Sequence, residues 1–410
     1  MRIHQPPAGT RDLLPLEVAQ KRWIADRIQG VFHQWGYQRI ITSTLEWVEA
    51  LTAGGAIHPS TVIQVENTSG GRLGLRPELT ASIARAAATR MAGDVFPQRL
   101  YYNANVFRRT PGGNHGRQVE FFQTGVELLR AGGTRADREI LLLLADCLGS
   151  LGLEGCSVIL GEASLTRSLL NLFPPSDQGQ VRACIAHLDR VGLTRLGLST
   201  ELEQLALLLF DLRGEPRTVL QKVSHLNLDQ QGQQVVHNLK NLIERVEESA
   251  STRLSLILDL SLIQTIDYYT GVVFEVVCVQ NQQSRVLGKG GRYDQLLGLY
   301  HPQGESAPGI GFALNLEEVY SCLLDSEQLP RSAPKTDWLV IPRDDQAEKA
   351  AFDYAQTLRH SEHLVRVELE LGGRSPDEIR QYARLCNINR LAWIQADGKP
   401  EIEVLENAEY

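Results

Sequence analysis

The chain has 410 residues, of which 43% are apolar and 22% are charged, and its formal net charge at pH 7 is −8. This length and composition predict several globular domains with a large core, while the acidic balance argues against a dedicated nucleic-acid-binding protein, which usually has a basic surplus. No apolar run approaches the roughly 18 residues of a membrane span, and residues 1–7 lack the apolar region of a signal peptide, so we expect a cytoplasmic location and no membrane partner.

The first part of the chain is predicted to contain helices and strands in mixed order. Helical spacing and alanine-rich composition predict helices at residues 16–35, 79–91 and 137–151. β-Branched and alternating apolar residues predict strands at residues 39–45, 99–107 and 118–126. Between the last two strands, the Pro, Gly and Asn residues of 109–116 predict a loop.

The middle of the chain is predicted to be a helical insertion, because residues 155–250 are rich in Leu, Gln and Arg at helical spacing. Strands return at residues 254–260 and 271–280. Residues 288–294 are interpreted as a tight turn, since their Gly-Lys-Gly-Gly run lacks the spacing of a phosphate-binding Walker loop. After Pro308–Gly311, a helix is predicted through about residue 324.

The C-terminal part is predicted to be a separate small α/β domain. Ser, Pro and charged residues at 326–336 indicate a linker, and residues 337–410 alternate strand, helix, strand, helix and strand. Residues 335–410 contain 10 Lys and Arg against 15 Asp and Glu, which is a net charge of −5. A domain with this much negative charge is poorly suited to contact RNA phosphates.

The six cysteines are scattered, and no Cys-x-x-Cys pair or cysteine–histidine spacing typical of a metal site occurs. The simplest interpretation is that they are reduced, mostly buried thiols. No metal and no cofactor are expected.

Several polar residues lie near predicted strands and loops, and each also has an ordinary structural explanation. Glu78 is explained as a first-turn helix acid that the helix dipole favours. Glu127, which alternates with Gln123, is explained as part of a solvated sheet face, and Tyr268 and Tyr269 as ordinary strand aromatics. Taken singly, none of these residues identifies a function.

Together, these segments resemble the core of a class II aminoacyl-tRNA synthetase, specifically histidyl-tRNA synthetase. The similar segments, in order, are Gly9–Pro15, Leu75–Thr80, Tyr102–Glu127, Leu262–Glu275, Gly290–Asp294 and Gly309–Ala313. The resemblance covers residues 6–325. It implies an α+β fold, with an antiparallel sheet and flanking helices in residues 1–325, the helical insertion at about 155–250, and a shortened anticodon-binding domain at 337–410.

The resemblance also implies a histidine-binding pocket on the face of the sheet. Glu78, Thr80 and Gln123 match the groups that hold the ammonium and nearby carboxylate, and Glu127 and Tyr269 match the partners of the imidazole ring. Tyr268 and Tyr293 are expected to form walls, and Arg108 matches the motif 2 arginine. The predicted histidine-binding set is therefore Glu78, Thr80, Arg108, Gln123, Glu127, Tyr268 and Tyr269.

Three positions depart from the pattern of an active synthetase, and all three belong to ATP handling. Thr110 replaces an acid of motif 2, Gln264 replaces an arginine of the histidine motif, and Glu318 replaces an arginine of motif 3. Arginines stabilise the charged transition state of phosphoryl chemistry, and a carboxylate at such a position repels phosphate instead. We therefore interpret the ATP site as degenerate and assign no catalytic residue.

This combination resembles the regulatory subunits of ATP phosphoribosyltransferase, a family of histidyl-tRNA synthetase paralogues in histidine biosynthesis. The resemblance implies a non-catalytic chain that a short catalytic subunit requires for activity, with histidine as the feedback effector. It also implies homodimers within a hetero-oligomer, often a hetero-octamer, and no tRNA partner. Two alternatives stay open: an active histidyl-tRNA synthetase with variant ATP contacts, and a synthetase-like paralogue with another macromolecular task.

Overall fold

The computed structural model describes residues 4–55, 57–67, 70–109, 118–153, 155–250, 254–262, 269–280 and 283–405. The strands are, in chain order, β1 (Gln38–Arg39), β2 (Leu45–Trp47), β3 (Ile63–Val65), β4 (Leu73–Leu75), β5 (Gln98–Phe107), β6 (Glu120–Leu129), β7 (Cys156–Glu162), β8 (Arg213–Gly214), β9 (Ser255–Asp259), β10 (Val272–Gln280), β11 (Gln283–Arg292), β12 (Gly309–Asn315), β13 (Trp338–Pro342), β14 (Val367–Leu369), β15 (Arg390–Ile394) and β16 (Pro400–Val404).

The α-helices are, in chain order, α1 (Pro15–Gln34), α2 (Val48–Leu51), α3 (Thr80–Thr89), α4 (Gly133–Ser150), α5 (Ala163–Leu170), α6 (Pro175–Ala186), α7 (Arg190–Thr194), α8 (Thr200–Phe210), α9 (Pro216–Ser224), α10 (Gln230–Ser249), α11 (Leu296–Tyr300), α12 (Leu316–Leu323), α13 (Glu348–Arg359) and α14 (Pro376–Leu385). Several begin at a side chain that caps the free backbone N–H groups of the first turn. Ser199 caps α8, Asp229 caps α10, and Ser375 with Glu378 forms a capping box at α14.

The largest sheet has nine strands within the described residues, in the order β1-β5-β6-β12-β11-β10-β7-β9-β8. The pairs β1–β5 and β7–β9 are parallel, and the other pairs are antiparallel. Helices flank this sheet, which confirms the predicted α+β class with a mainly antiparallel sheet.

The two faces of the sheet are different because side chains alternate along each strand. On β6, Val126 and Leu128 enter the main core, which also contains Ile28 of α1 and Ile140 of α4. The opposite face of β6 carries Gln123, Gly125 and Glu127. This second face is partly covered by α3 and α11, whose apolar side chains form a smaller core with Tyr102 and Tyr293. The part of this face that the two helices do not cover is a concave surface.

Two predicted segments differ from the structure. The predicted helical insertion at 155–250 begins with a strand, because Val158 and Leu160 of β7 are buried at a period of two and pair with β10. The predicted strand at 39–45 is reduced to the ends of β1 and β2. In both cases pairing with strands distant in sequence decides the local structure.

The predicted turn at 288–294 is wrong, since residues 288–292 continue β11. The glycines there allow close neighbours instead of a change in chain direction. A Cβ atom at Gly291 would lie 2.7 Å from the ring of Tyr269, and one at Gly288 would lie 2.7 Å from Cδ2 of Leu314.

The expectation of reduced thiols is wrong for one pair of cysteines. Cys156 and Cys278 face each other across β7 and β10, with Cα atoms 4.2 Å apart, and their sulfur atoms are joined as a disulfide. They are 122 residues apart in sequence, so the scattered positions of the cysteines did not reveal this pairing. The cysteines at positions 147, 184, 322 and 386 are free.

A second sheet has three strands in the order β2-β4-β3 and contacts α2. Its register places six apolar side chains on one face, in two cross-strand rows: Leu45, Leu75 and Ile63, and then Trp47, Leu73 and Val65. The side chains at the sheet edges are exposed, Trp47 by 51%. We refer to these six residues as the apolar face of the small sheet.

The described residues form two compact units. One comprises Gln20–Leu329 with the described residues before Leu14, and the other comprises Leu14–Ala19 with the described chain from Pro330. The second unit has a sheet in the order β14-β13-β15-β16, with α13 and α14 on opposite faces. β13, β14 and β15 are parallel, and β16 adds an antiparallel strand that was not predicted. Its likeness to an anticodon-binding domain stays a prediction.

Among the helices of the described ranges, none has both the length and the apolar character required to cross a membrane.

Candidate functional site

A cavity of about 300 Å³ opens on the second face of the large sheet. The strands β6, β12 and β11 form its floor, and the start of α3 and the segment that carries Tyr269 contribute to its walls. Its lining residues are Glu78, Thr80, Tyr102, Arg108, Phe121, Gln123, Glu127, Tyr269, Val286, Gly288, Lys289, Tyr293, Gly311, Phe312, Ala313, Asn315 and Glu318.

Small residues leave room above the floor of this cavity. In the sheet register, Glu127 lies opposite Gly311, which in turn lies opposite Gly291. A Cβ atom at Gly311 would overlap the carboxylate of Glu127 and the carbonyl oxygen of Val126. The absence of side chains in this row therefore makes space for the carboxylate of Glu127 at Gly311 and for the ring of Tyr269 at Gly291.

Glu127 lies at the bottom of the cavity and is only 1% exposed. Its Oε1 accepts a hydrogen bond of 2.7 Å from the hydroxyl of Thr80, and its Oε2 accepts one from the hydroxyl of Tyr293. Burial raises the pKa of Glu127 to about 8, although both hydrogen bonds favour the charged form. The carboxyl group of Glu127 therefore titrates several pH units above an exposed glutamate.

Glu78 binds backbone N–H groups at the start of α3 and also forms part of the cavity wall. Its two carboxylate oxygens accept hydrogen bonds of 2.8 Å from the backbone N–H groups of Thr80 and Ala81, where α3 begins. Burial raises its pKa, and these bonds and the nearby Arg108 oppose that shift. Glu78 thus lies just before α3 and not in its first turn as expected, but it accepts hydrogen bonds from N–H groups of that turn, and the same carboxylate also lines the cavity.

Gln123 lies on β6, and Arg108 directly follows the end of β5. Gln123 is 7% exposed, and its Oε1 has no hydrogen-bond partner among the described residues. A buried acceptor without a donor is unfavourable, so a ligand ammonium or N–H group would stabilise it. The Nε of Arg108 donates 2.7 Å to the carbonyl of Pro77, and its guanidinium lies 5.3 Å from the ring centre of Phe121.

Two ion pairs lie on the side of the cavity formed by β11, across the floor from β6 and α3. Lys289 Nζ lies 2.6 Å from Glu275 Oε1, and the two residues are directly opposite on β11 and β10. Arg285 Nη1 lies 3.1 Å from Glu318 Oε2. The cavity therefore carries charges of both signs, as a zwitterionic ligand needs.

The structure brings most of the predicted histidine-binding residues together along this cavity. Those that line it are Glu78, Thr80, Arg108, Gln123, Glu127 and Tyr269, together with the predicted wall residue Tyr293. Tyr268, Thr110 and Gln264 lie outside the described residues, and Glu318 lines the cavity. Their role in binding histidine, and the loss of ATP contacts, stay predictions.

Sequence reasoning missed several cavity residues, above all Lys289. The glycine-rich run around it was interpreted as a turn, which hid the alternation that places Lys289 and Gly291 on the same face of β11. Tyr102 and Phe121 were also missed, although both lie in motif 2 strands beside predicted site residues. In the part of the chain that the structure describes, no group of three or more His, Cys, Asp and Glu side chains could hold a metal ion.

Replacing Glu127 with glutamine is expected to flatten the pH dependence of stability. The folded-state pKa of about 8 lies above the ordinary value of 4.5, so between these pH values the native state holds a proton that the unfolded state has lost. The free energy of unfolding of the wild type should therefore fall by several kcal/mol as pH rises from 5 to 8. Glu127→Gln lacks this titration.

Urea unfolding at several pH values, with the exposed Glu66→Gln as the matched control, measures this difference. Glu66→Gln should follow the wild type. Parallel pH profiles for the wild type and Glu127→Gln would contradict the raised pKa.

The fold and the cavity define a class II aminoacyl-tRNA synthetase-like protein, and comparison with known proteins agrees. The family model described as histidyl-tRNA synthetase matches residues 9–319. A crystal structure of histidyl-tRNA synthetase from Nostoc sp. PCC 7120 has the same fold, with a TM-score of 0.78 at 20% identity over 98% of this chain and 97% of that one. A crystal structure described as an ATP phosphoribosyltransferase regulatory subunit/histidyl-tRNA synthetase from Bacillus halodurans has a TM-score of 0.81 at 27% identity, covering 96% of this chain and 98% of that one.

Comparison with curated relatives identifies the family within this class. The chain is 62% identical to the ATP phosphoribosyltransferase regulatory subunit of Gloeothece citriformis and 61% identical to that of Picosynechococcus sp., in both cases over 98% of this chain and 100% of the relative. The chain belongs to the ATP phosphoribosyltransferase regulatory subunit family, whose members share the histidyl-tRNA synthetase fold.

Proposed function

We propose that this chain is the non-catalytic regulatory subunit that a short catalytic subunit of ATP phosphoribosyltransferase requires for activity, and that L-histidine inhibits the assembly by binding in the cavity. The observation that carries the proposal is the hydrogen-bonded group of Glu127, Thr80 and Tyr293 in the same cavity as the buried, unpartnered oxygen of Gln123. These groups offer acceptors and donors suited to an imidazole ring and an ammonium. The names of the curated relatives support the regulatory role.

Histidine fits the chemistry of these residues. Glu127 and Tyr269 bind the imidazole ring, and Glu78 with Gln123 accepts hydrogen bonds from the ammonium. Buried polar groups that match a ligand discriminate strongly against analogues, because a missing partner leaves them unsatisfied. The site is therefore selective for histidine over other amino acids.

The proposal assigns no catalytic residue to this chain. Glu318, which lines the cavity, places a carboxylate where an active synthetase has an arginine that faces the phosphates of ATP. Its partner Arg285 neutralises that charge, so the pair supplies no net cation for phosphate. The joining of ATP to phosphoribosyl pyrophosphate takes place in the catalytic subunit.

Inhibition follows from a difference in affinity between two states of the assembly. L-Histidine that binds the inactive state more tightly than the active state shifts the population toward the inactive state. Substrates that bind the active state of the catalytic subunit more tightly then weaken the binding of histidine. By linkage, histidine weakens the binding of these substrates by the same factor.

The decisive experiment is reconstitution with the short catalytic subunit. We expect the catalytic subunit to gain activity when this chain is added, L-histidine to inhibit the mixture, and calorimetry to detect L-histidine binding to this chain or to the complex. Activity that this chain does not change would refute the regulatory role. Histidine-dependent ATP–pyrophosphate exchange by this chain alone would instead establish an active synthetase.

The proposed assembly contains homodimers of this chain within a hetero-oligomer, with a hetero-octamer as the proposed stoichiometry and the cytoplasm as the proposed location. The apolar face of the small sheet supports the homodimer. Leu45, Trp47 and Val65 are 43%, 51% and 37% exposed on this face. Their cross-strand partners on β4 are also apolar, so the exposed side chains form one patch. A contiguous apolar patch of this kind is typical of a protein interface.

Replacing Trp47 with glutamate is expected to convert the dimer to a monomer. A carboxylate buried within an apolar interface loses its hydration without gaining a partner, which costs several kcal/mol. Sedimentation at micromolar concentration measures the change. Val95→Glu is the matched control, because Val95 is 89% exposed and lies outside this face. A monomeric control, or a dimeric Trp47→Glu, would contradict the proposed interface.

A further inference from the structure

Lys289 is a cavity residue that the histidine-binding prediction does not include. It lies on β11, directly opposite Ala313 of β12 on one side and Glu275 of β10 on the other. Its ammonium is 2.6 Å from Glu275 Oε1, and its side chain is 51% exposed, whereas that of Glu275 is 16% exposed. The ammonium therefore stands at the rim of the cavity with one partner and with access to the cavity interior.

Different charged and polar groups line the two sides of the cavity. On the side of β6 and α3 stand Glu78, Glu127 and the unpartnered Oε1 of Gln123, together with the guanidinium of Arg108 near Glu78. Lys289 stands two strands away, which is about 10 Å across the sheet because neighbouring strands are about 4.8 Å apart. Between them, the Tyr102 side chain covers Gly125, and Ala313 lies opposite Lys289. The acceptors on the first side suit the ammonium of an α-amino acid, and Lys289 places a cation where its carboxylate can reach from the other side.

We infer that Lys289 binds the α-carboxylate of the amino-acid effector, an inference that rests on the proposed function. An ammonium has three N–H donors, so Lys289 can keep its bond to Glu275 and still donate to a ligand carboxylate. Glu275 holds the ammonium at the rim, and no other lysine lines the cavity among the described residues. The sequence position where a synthetase has an arginine for this contact carries Gln264, which has no charge.

The test compares ligands that differ in the carboxylate alone. L-Histidinol has the imidazole ring and the ammonium of L-histidine but carries a hydroxymethyl group in place of the carboxylate. We expect the wild type to bind L-histidine at least about 10-fold more tightly than L-histidinol, since hydrogen bonds between charged groups are the stronger class. In the double variant Lys289→Met with Glu275→Gln, which leaves no unpaired carboxylate, the two affinities should become nearly equal.

The controls separate a ligand contact from a structural role. Glu275→Gln alone and Lys289→Arg should keep the preference for L-histidine, and L-histidinol should bind all variants with similar affinity. Lys289→Gln serves as a second loss-of-charge variant if the double variant does not fold. A loss-of-charge variant that keeps the preference for L-histidine overturns the inference and leaves the proposed function intact. A wild type that binds neither ligand, alone or with the catalytic subunit, overturns the proposed function and the inference together.

Discussion

Arg292→Ala is expected to lower the free energy of unfolding by about 3–5 kcal/mol, the range for breaking one side of a buried ion pair. Arg292 and Asp137 are each 6% exposed. The guanidinium donates to Asp137 Oδ1 from Nε at 2.9 Å and from Nη2 at 2.6 Å, and to Asp294 Oδ1 from Nη1 at 3.1 Å. Without it, a buried carboxylate of α4 loses its counter-charge at the end of β11.

The destabilisation should depend on pH in a defined direction. Burial already raises the pKa of Asp137 to about 6, against the attraction of Arg292. Removing Arg292 raises that pKa further, so the variant is less destabilised at pH 5, where Asp137 can be protonated, than at pH 8.

Chemical unfolding at pH 5 and pH 8 measures both effects. The control is the double variant Asp137→Leu with Arg292→Met, which replaces the pair with apolar groups and should recover much of the loss. An Arg292→Ala variant within about 1 kcal/mol of the wild type at pH 8 would show that the ion pair does not stabilise the fold.

Gly311→Ala is expected to destabilise the protein by about 2 kcal/mol and to weaken L-histidine binding by about 10-fold or more. The added methyl group overlaps the carboxylate of Glu127 and the backbone of β6, so either the carboxylate or the strand must move. Displacement of Glu127 also disturbs its hydrogen bonds to Thr80 and Tyr293.

Calorimetry with L-histidine, together with thermal unfolding, measures the two effects of Gly311→Ala. Gly93→Ala is the matched control, because a Cβ atom at Gly93 meets nothing within 4 Å. The control should bind like the wild type. Unchanged affinity in Gly311→Ala would show that the floor of the cavity does not contact the ligand, and the binding site would have to be sought elsewhere.

The fold class and about half of the cavity residues were predictable because they belong to short motifs whose order along the chain is itself informative. Motif identity and order are sufficient to select Glu78, Gln123 and Glu127 as candidates. Each also had an ordinary structural explanation, and Glu78 does bind N–H groups at the start of α3, from a position just before the helix. A motif therefore identifies a candidate residue but does not exclude a second role for it.

The errors of the sequence analysis share one physical cause. The glycines around Lys289 were interpreted as a turn, although they allow Tyr269, Phe274 and Leu314 to approach a continuous strand. Cys156 was assigned to a helical insertion, although it lies on a strand opposite Cys278. In both cases the local pattern was ambiguous, and the partner that resolves it lies far away in sequence.

The amino-acid sequence alone was sufficient for the family, the α+β class and the candidate histidine-binding residues, because motif identity and order are local properties of the chain. Tertiary structure decided which residues lie next to one another. It placed Glu127 over the bare backbone of Gly311, joined the two cysteines and brought Lys289 to the rim of the cavity. These relations depend on strand register, which is set by packing between distant segments rather than by the pattern within any one of them.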